Sequence, residues 1–153
     1  MTGPDLNWRC ERYAGLGVDD LYDLLALRSE VFVVEQQCLF QDIDGADRAS
    51  AHLLGRDAAG VLQAYLRIVD PGVKYLEPSL GRVVTARDAR GMGLGHGLMA
   101  EGLARCAAAW PGRAIRIGAQ ARLAAFYAGH GFVRDGEDYL EDGIPHCEML
   151  RAA

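Results

Sequence analysis

The sequence predicts one mixed α/β domain, and three observations carry that expectation. Its 153 residues amount to about one domain, with enough chain to bury a core. Strand-like runs in the first half are joined as hairpins, whereas those in the second half alternate with helical stretches. No internal repeat, low-complexity segment or linker interrupts the chain, so the domain is expected to span residues 1–153.

Leu6 to Tyr13 alternates imperfectly and is expected to form a first strand, with Trp8 and Cys10 on one face. Asp19-Asp20 then provide an acidic helix start. Leu21, Leu24, Leu25, Val31 and Phe32 follow at helical spacing. Arg28 and Glu35 fall in line with that stripe, and a charge there needs a partner or water. Either they form a structural ion pair or snorkel at the rim, or this helix end lines a polar acceptor pocket. In the next segment Asp42, Asp44 and Asp47 would attract a cationic amine, or simply make a solvated acidic loop. The Asp-x-Asp-Gly pattern there is too short for an EF-hand calcium loop.

Ala51–Arg56 and Val61–Val69 read as two strands around the turn Asp57-Ala58-Ala59-Gly60. Pro71-Gly72 and Pro78 bracket a loop before a further strand, Leu80–Thr85. A turn dense in Gly and Arg comes next. It opens a long Ala/Leu-rich helix beginning near Gly93, with an inward stripe of Gly95, Met99, Leu103, Cys106 and Trp110, and Pro111-Gly112 ends it. Ala114–Gly118 is another strand and Arg122–Ala128 a short helix, broken by Gly129-His130-Gly131. Phe132-Val133 follows, and His146–Leu150 is the expected last strand.

The strand, glycine turn and helix around Arg90-Gly91-Met92-Gly93-Leu94-Gly95 predict a phosphate cradle. Glycines permit close backbone approach and turn geometries barred to other residues. The free N–H groups and positive dipole end of the helix favour an anion. A Walker loop would need Lys and then Ser or Thr after its last glycine, but His96-Gly97 stands there. A dinucleotide fingerprint would need a third glycine at position 96, which is His96. What remains is Arg-x-x-Gly-x-Gly at Arg90, Gly93 and Gly95.

Composition narrows the function classes. A net charge of −5 lacks the basic footprint of general nucleic-acid binding. No apolar run approaches the roughly 20 residues that span a bilayer. The opening MTGPDLNWRCERY lacks the basic start and apolar core of a signal peptide, so a cytoplasmic location is expected. Cys10, Cys38, Cys106 and Cys147 are scattered without metal-like spacing and are expected to be free thiols, with no metal site.

A second pattern lies some thirty residues downstream of the glycine turn: Gln120, then Tyr127 seven residues on, then Gly131-Phe132. Together the two resemble the acyl-CoA loop and the Asn-x6-Tyr-x3-Gly-Phe signature of the GNAT family of acetyltransferases, with Gln120 in place of the usual Asn. LRSEVFVVEQ, QDIDGAD, the GRVV strand and YLEDGIPH extend the likeness along nearly the whole chain, to the ElaA-like subgroup. The resemblance implies a splayed, mostly antiparallel sheet flanked by helices, with acetyl-CoA entering where two central strands diverge. It assigns the pantetheine arm to backbone groups of Val83, Val84 and Thr85, and the pyrophosphate to Arg90, Gly91, Met92, Gly93, Leu94 and Gly95. Met92 and Leu94 would contribute N–H groups, so their side chains should tolerate change. Gln120 would lie beside the cofactor, and Arg87 or Arg90 would meet a phosphate or remain a surface arginine.

The implied activity is direct acetyl transfer from acetyl-CoA to a primary amine, on a small molecule or a peptide, in a ternary complex. A homodimer is in keeping with the family. An unperturbed lysine amine has a pKa of about 10.4, so a base is useful, and the oxyanion needs N–H donors, expected near Val84. Tyr127 matches the residue that protonates the departing thiolate, and it also belongs to an aromatic cluster with Phe126 and Phe132. For the base, Glu35, His52, Glu77, His146 and Glu148 are all chemically able, with Glu35 and His52 the leading candidates. A covalent cysteine route lacks an evident Cys/His pair. Other classes remain open: an acyl-CoA sensing domain without turnover, or an acyl-homoserine-lactone-synthase-like enzyme suggested by Arg28-x-x-x-Phe32, although such enzymes generally lack the glycine loop.

Overall fold

The computed structural model describes residues 5–153; the first four residues of the stretch read for a leader lie outside them. Eight strands and three α-helices follow one another as β1 (Asn7–Arg12), α1 (Val18–Arg28), β2 (Ser50–Arg56), β3 (Leu62–Val69), β4 (Ser79–Thr85), α2 (Leu94–Ala109), β5 (Ile115–Gln120), α3 (Ala124–Ala128), β6 (Val133–Arg134), β7 (Tyr139–Glu141) and β8 (Ile144–Arg151). The first four strands form an antiparallel sheet in the order β1-β2-β3-β4. In the second sheet β8 is central, with β5 on one side and β6 and β7 on the other. The expected mixed, splayed, mostly antiparallel architecture is the one observed.

The near-continuous burial of β2 and β3 hides an alternation along most of their length, because helices cover both faces. Leu54 and Tyr65 turn toward α1, with Leu24, Leu27 and Val31. Leu53 and Leu66 turn the other way, into a core with Leu98, Met99, Ile117 and Phe132 that joins the two sheets. On β1, Trp8 and Cys10 pack against this core as expected. The buried face of α2 is centred on Leu94, Leu98, Met99, Gly102 and Cys106, rotated from the expected stripe. Gly102 explains the rotation: a Cβ there would lie 2.7 Å from Leu66 Cδ2, so the helix backbone settles directly onto β3.

Three further features depart from the sequence-based expectation. The chain leaves α1 through a π-helical turn, Ser29–Glu35, with Gln36 N–H donating to Val31 O at 3.2 Å; such turns are rare and re-aim the side chains that follow. Tyr139–Glu141 and Ile144–Arg151 form an additional hairpin through Asp142-Gly143. Strand β4 carries a bulge: Tyr65 pairs with Val84 and Arg67 with Gly81, which leaves Arg82 and Val83 out of register. Arg82 has a φ of +49°, a conformation that is uncommon for a residue with a side chain.

Candidate active site

Strands β4 and β5 begin side by side, where Arg116 N–H donates to Pro78 O at 3.1 Å, and belong to different sheets beyond that point. Between them lies a cleft of about 380 Å³. Val83, Val84 and Thr85 line one wall, and Ile117, Gly118, Ala119 and Gln120 the other. The bulge takes Arg82 and Val83 out of the β3–β4 ladder, so backbone groups at this wall are available to a ligand.

Arg90, which opens the glycine turn, lines the cleft, whereas Gly91 to Gly95 are not among its lining residues. Gly91 and Gly93 have φ of +83° and +75°, and nothing lies within 4 Å of where their Cβ atoms would be. Glycine is required there by backbone conformation, and the space above it is open. Gly93 is the N-cap of α2, so the first N–H groups of this 16-residue helix face outward from the turn. Met92 is exposed, but Leu94 is buried at 7%. Burial of Leu94, which anchors the helix start in the core, runs against the expectation that its side chain tolerates change.

Tyr127 lines the cleft from α3 and is buried. Burial pushes its phenol up to about 12, against a smaller opposing pull from Arg122. Its ring also packs edge-on against Phe126 and Phe132, with centroids 5.2 and 6.2 Å away, so the packing role and access to the cleft coexist. Gln120 stands at the end of β5, its Nε2 donating to Gln36 Oε1 at 3.2 Å and its Oε1 accepting from Arg122 Nε at 3.0 Å.

The two leading base candidates are both engaged elsewhere. Glu35 lines the cleft, but its carboxylate accepts two hydrogen bonds from Arg90, at 2.8 and 2.9 Å. The Arg90 hydrogen bond holds the carboxyl below its usual range, with Arg87 and Arg122 adding to the effect, which makes it a weaker base. His52 does not line the cleft and is fully buried. Its Nε2–H donates to Asp47 O at 2.9 Å, so Nδ1 accepts from the Tyr65 hydroxyl at 2.7 Å. Burial also pushes its pKa down. His52 is a satisfied structural histidine that ties the acidic loop to the sheet.

That loop offers no free carboxylates to an amine. Arg28, fully buried, donates to Asp42 and to Asp47, each at 2.7 Å. Arg67 spans Asp44 and Asp47 at 2.8 and 3.1 Å, and Arg82 Nε lies 2.8 Å from Asp42 Oδ1. Burial disfavours the charge on Asp47, yet the hydrogen bonds and charges of Arg28 and Arg67 outweigh it and lower its pKa. Arg28 is thus a structural ion pair, in the interior instead of at the rim. Nothing in local sequence singles out Arg67 or Arg82. Gly118 did carry a signal, since glycine inside a strand marks close approach: the hydroxyls of Tyr75 and Tyr139 would lie 2.9 and 3.1 Å from a Cβ at that position.

The splayed sheets and the glycine turn opening a helix are the features that the acetyltransferase resemblance implies. A family model described as an acetyltransferase (GNAT) domain matches residues 14–152, and the chain belongs to that family. Escherichia coli ElaA is 41% identical over 148 residues, covering 95% of this chain and 96% of ElaA. Its crystal structure has a TM-score of 0.89 at 40% identity, over 95% of this chain and 99% of that one. An acyl-CoA N-acyltransferase from Pseudomonas aeruginosa is similar at a TM-score of 0.91 and 46% identity, over 96% and 99% of the two chains. These likenesses put the chain in the ElaA-like subgroup. Among the described residues no helix is long and apolar enough to cross a membrane, and no three His, Cys, Asp or Glu side chains are grouped to hold a metal ion.

Proposed function

We propose that this chain, acting as one domain, moves an acetyl group from acetyl-CoA to a primary amine of a small molecule or peptide by direct transfer, in the cytoplasm. The observation that carries this reading is the cleft between β4 and β5, lined by Tyr127 and by Arg90 at the start of the glycine turn. Turn Arg90–Gly95 and the N-terminus of α2 would hold the pyrophosphate. Backbone groups at Val83, Val84 and Thr85 would take the pantetheine arm in place of the missing strand partner, with Gln120 beside it. An N–H near Val84 would stabilise the oxyanion.

Tyr127 suits the role of acid. A phenol with a pKa of about 12 stays protonated at neutral pH and can give its proton to the departing thiolate. Protein nucleophiles are not needed for this route. Cys38, which lines the cleft, is buried and donates through Sγ to Asp142 O at 3.5 Å. The test is acetyl-CoA turnover, read as free thiol, against a panel of amino acids, diamines, aminoglycosides and peptide N-termini. Saturable thiol release with one acceptor class and the appearance of its N-acetyl product are expected. Tight acetyl-CoA binding with no acceptor-dependent release would contradict the transferase reading.

A further inference from the structure

An acceptor amine arrives as an ammonium ion and must lose a proton before it attacks. Of the chemically able side chains, four are engaged. Glu35 is bound at two points by Arg90 and His52 is sealed inside the sheet. Glu77 lies 3.2 Å from Arg116 Nη2, and Glu148 lies 3.3 Å from Arg116 Nη1. His146 is different. It lines the cleft from β8, directly opposite Gln120 of β5.

Its ring nitrogens have distinct surroundings. Nδ1 is 2.7 Å from Ile144 O, and a carbonyl only accepts, so Nδ1 keeps its proton in either charge state. Nε2 is therefore the ring nitrogen left to accept a hydrogen bond in the neutral ring. It lies 3.4 Å from Glu141 Oε2, which places a counter-charge beside the imidazolium. Tyr139 stacks on the ring, with centroids 5.9 Å apart, and restrains its orientation. Glu35, Cys38, Lys74, Tyr127 and Asp142 are the other titratable groups that line the cleft with it, together with the guanidiniums of Arg67, Arg82, Arg90 and Arg122.

We propose that His146 Nε2 is the general base that deprotonates the acceptor ammonium, with Glu141 as the positioning residue that orients the ring and stabilises the imidazolium. This inference rests on the acetyltransferase reading. One proton passes from the ammonium to Nε2 and the freed lone pair forms the C–N bond. The C–S bond breaks with its electron pair on sulfur. Tyr127 protonates the thiolate and regains a proton from the acceptor nitrogen, and His146 returns its own to solvent.

The test combines pH profiles of kcat/KM for wild type, His146→Gln and Glu141→Gln with nitrogen NMR of His146 in the acetyl-CoA complex. With the fastest amine of the panel, His146→Gln is expected to lower kcat/KM by about a hundredfold and to erase the acidic limb, while acetyl-CoA affinity is unchanged. Glu141→Gln removes the counter-charge, so the acidic limb should move to lower pH and the maximum should fall. Glu141 is half-exposed, so this second variant does not depend on a core substitution. Wild-type rate and profile in His146→Gln would overturn the proposal. The NMR needs no acceptor: if acetyl-CoA binds but no amine is acetylated, the transferase reading fails by itself. A neutral ring protonated at Nε2, or a His146 titration unmoved by Glu141→Gln, overturns this one.

Discussion

The carboxylate of Glu35 and the guanidinium of Arg90 meet in a two-point contact of 2.8 and 2.9 Å, across 55 residues of chain. Glu35 ends the π-helical turn and Arg90 opens the glycine turn, and both line the cleft. A planar fork matches a carboxylate and a phosphate equally well. An incoming pyrophosphate would therefore compete with Glu35 for Arg90.

Glu35→Gln should free Arg90 for the cofactor. Exposed pairs of this kind contribute little, so the expected effect is modest: an acetyl-CoA Kd about two- to fivefold tighter, with kcat within about twofold of wild type. Calorimetric titration and steady-state rates check both. A hundredfold loss of kcat would restore Glu35 as the base.

Tyr127→Phe keeps the ring that packs on Phe126 and Phe132 and removes only the hydroxyl. Turnover should drop by about a hundredfold or more, as expected for loss of a general acid, while Tm and acetyl-CoA affinity change little. Because burial pushes this phenol up to about 12, it should not produce an alkaline limb between pH 7 and 10 in the wild-type profile.

Arg28→Met leaves Asp42 and Asp47 buried without a main partner. Removing one member of a buried ion-pair network costs about 3–5 kcal/mol, which denaturant unfolding would read directly. Tm should fall by many degrees.

The acidic loop also sets a pH dependence. Asp44 and Asp47 are both held below the ordinary carboxylate range, where burial is outweighed by Arg67 and by Arg28 respectively. Groups with depressed folded pKa values contribute stability above their unfolded pKa, about 3.9, and lose it as pH falls through the folded value. Thermal stability should therefore be flat near neutrality and decline below about pH 4, with a shallower decline in Asp44→Asn.

How much of this is legible in the sequence depends on the range of each constraint. The glycine turn is readable because its physics is local: Gly91 and Gly93 are dictated by their own φ angles, and α2 begins where its cap falls. Strands β2 and β3 are readable from pattern, and Tyr127 stands out only through the resemblance of Gln120, Tyr127 and Gly131-Phe132 to the family signature. The bulge at Arg82 is not, since a register slip is a property of two strands and not of one. The partners of His52 and Arg28 are hidden for the same reason, being set by tertiary packing. The positions of Asp42, Asp44 and Asp47 suggest an acidic acceptor loop, but Arg67 and Arg82, more than twenty residues on, neutralise it. His146 could be recognised as able, yet only the β7–β8 hairpin brings Glu141 to its Nε2.

If the turn from Arg90 to Gly95 binds acyl-CoA, calorimetric titration of acetyl-CoA into wild type and Gly93→Asp will separate the two proteins. Aspartate at a φ of +75° strains the turn and puts a carboxylate where the pyrophosphate would sit. Saturable binding to wild type, with affinity at least a hundredfold weaker in the variant and an unchanged far-ultraviolet spectrum, is the expected result. Equal affinity in the two proteins, or no binding to wild type, would contradict it.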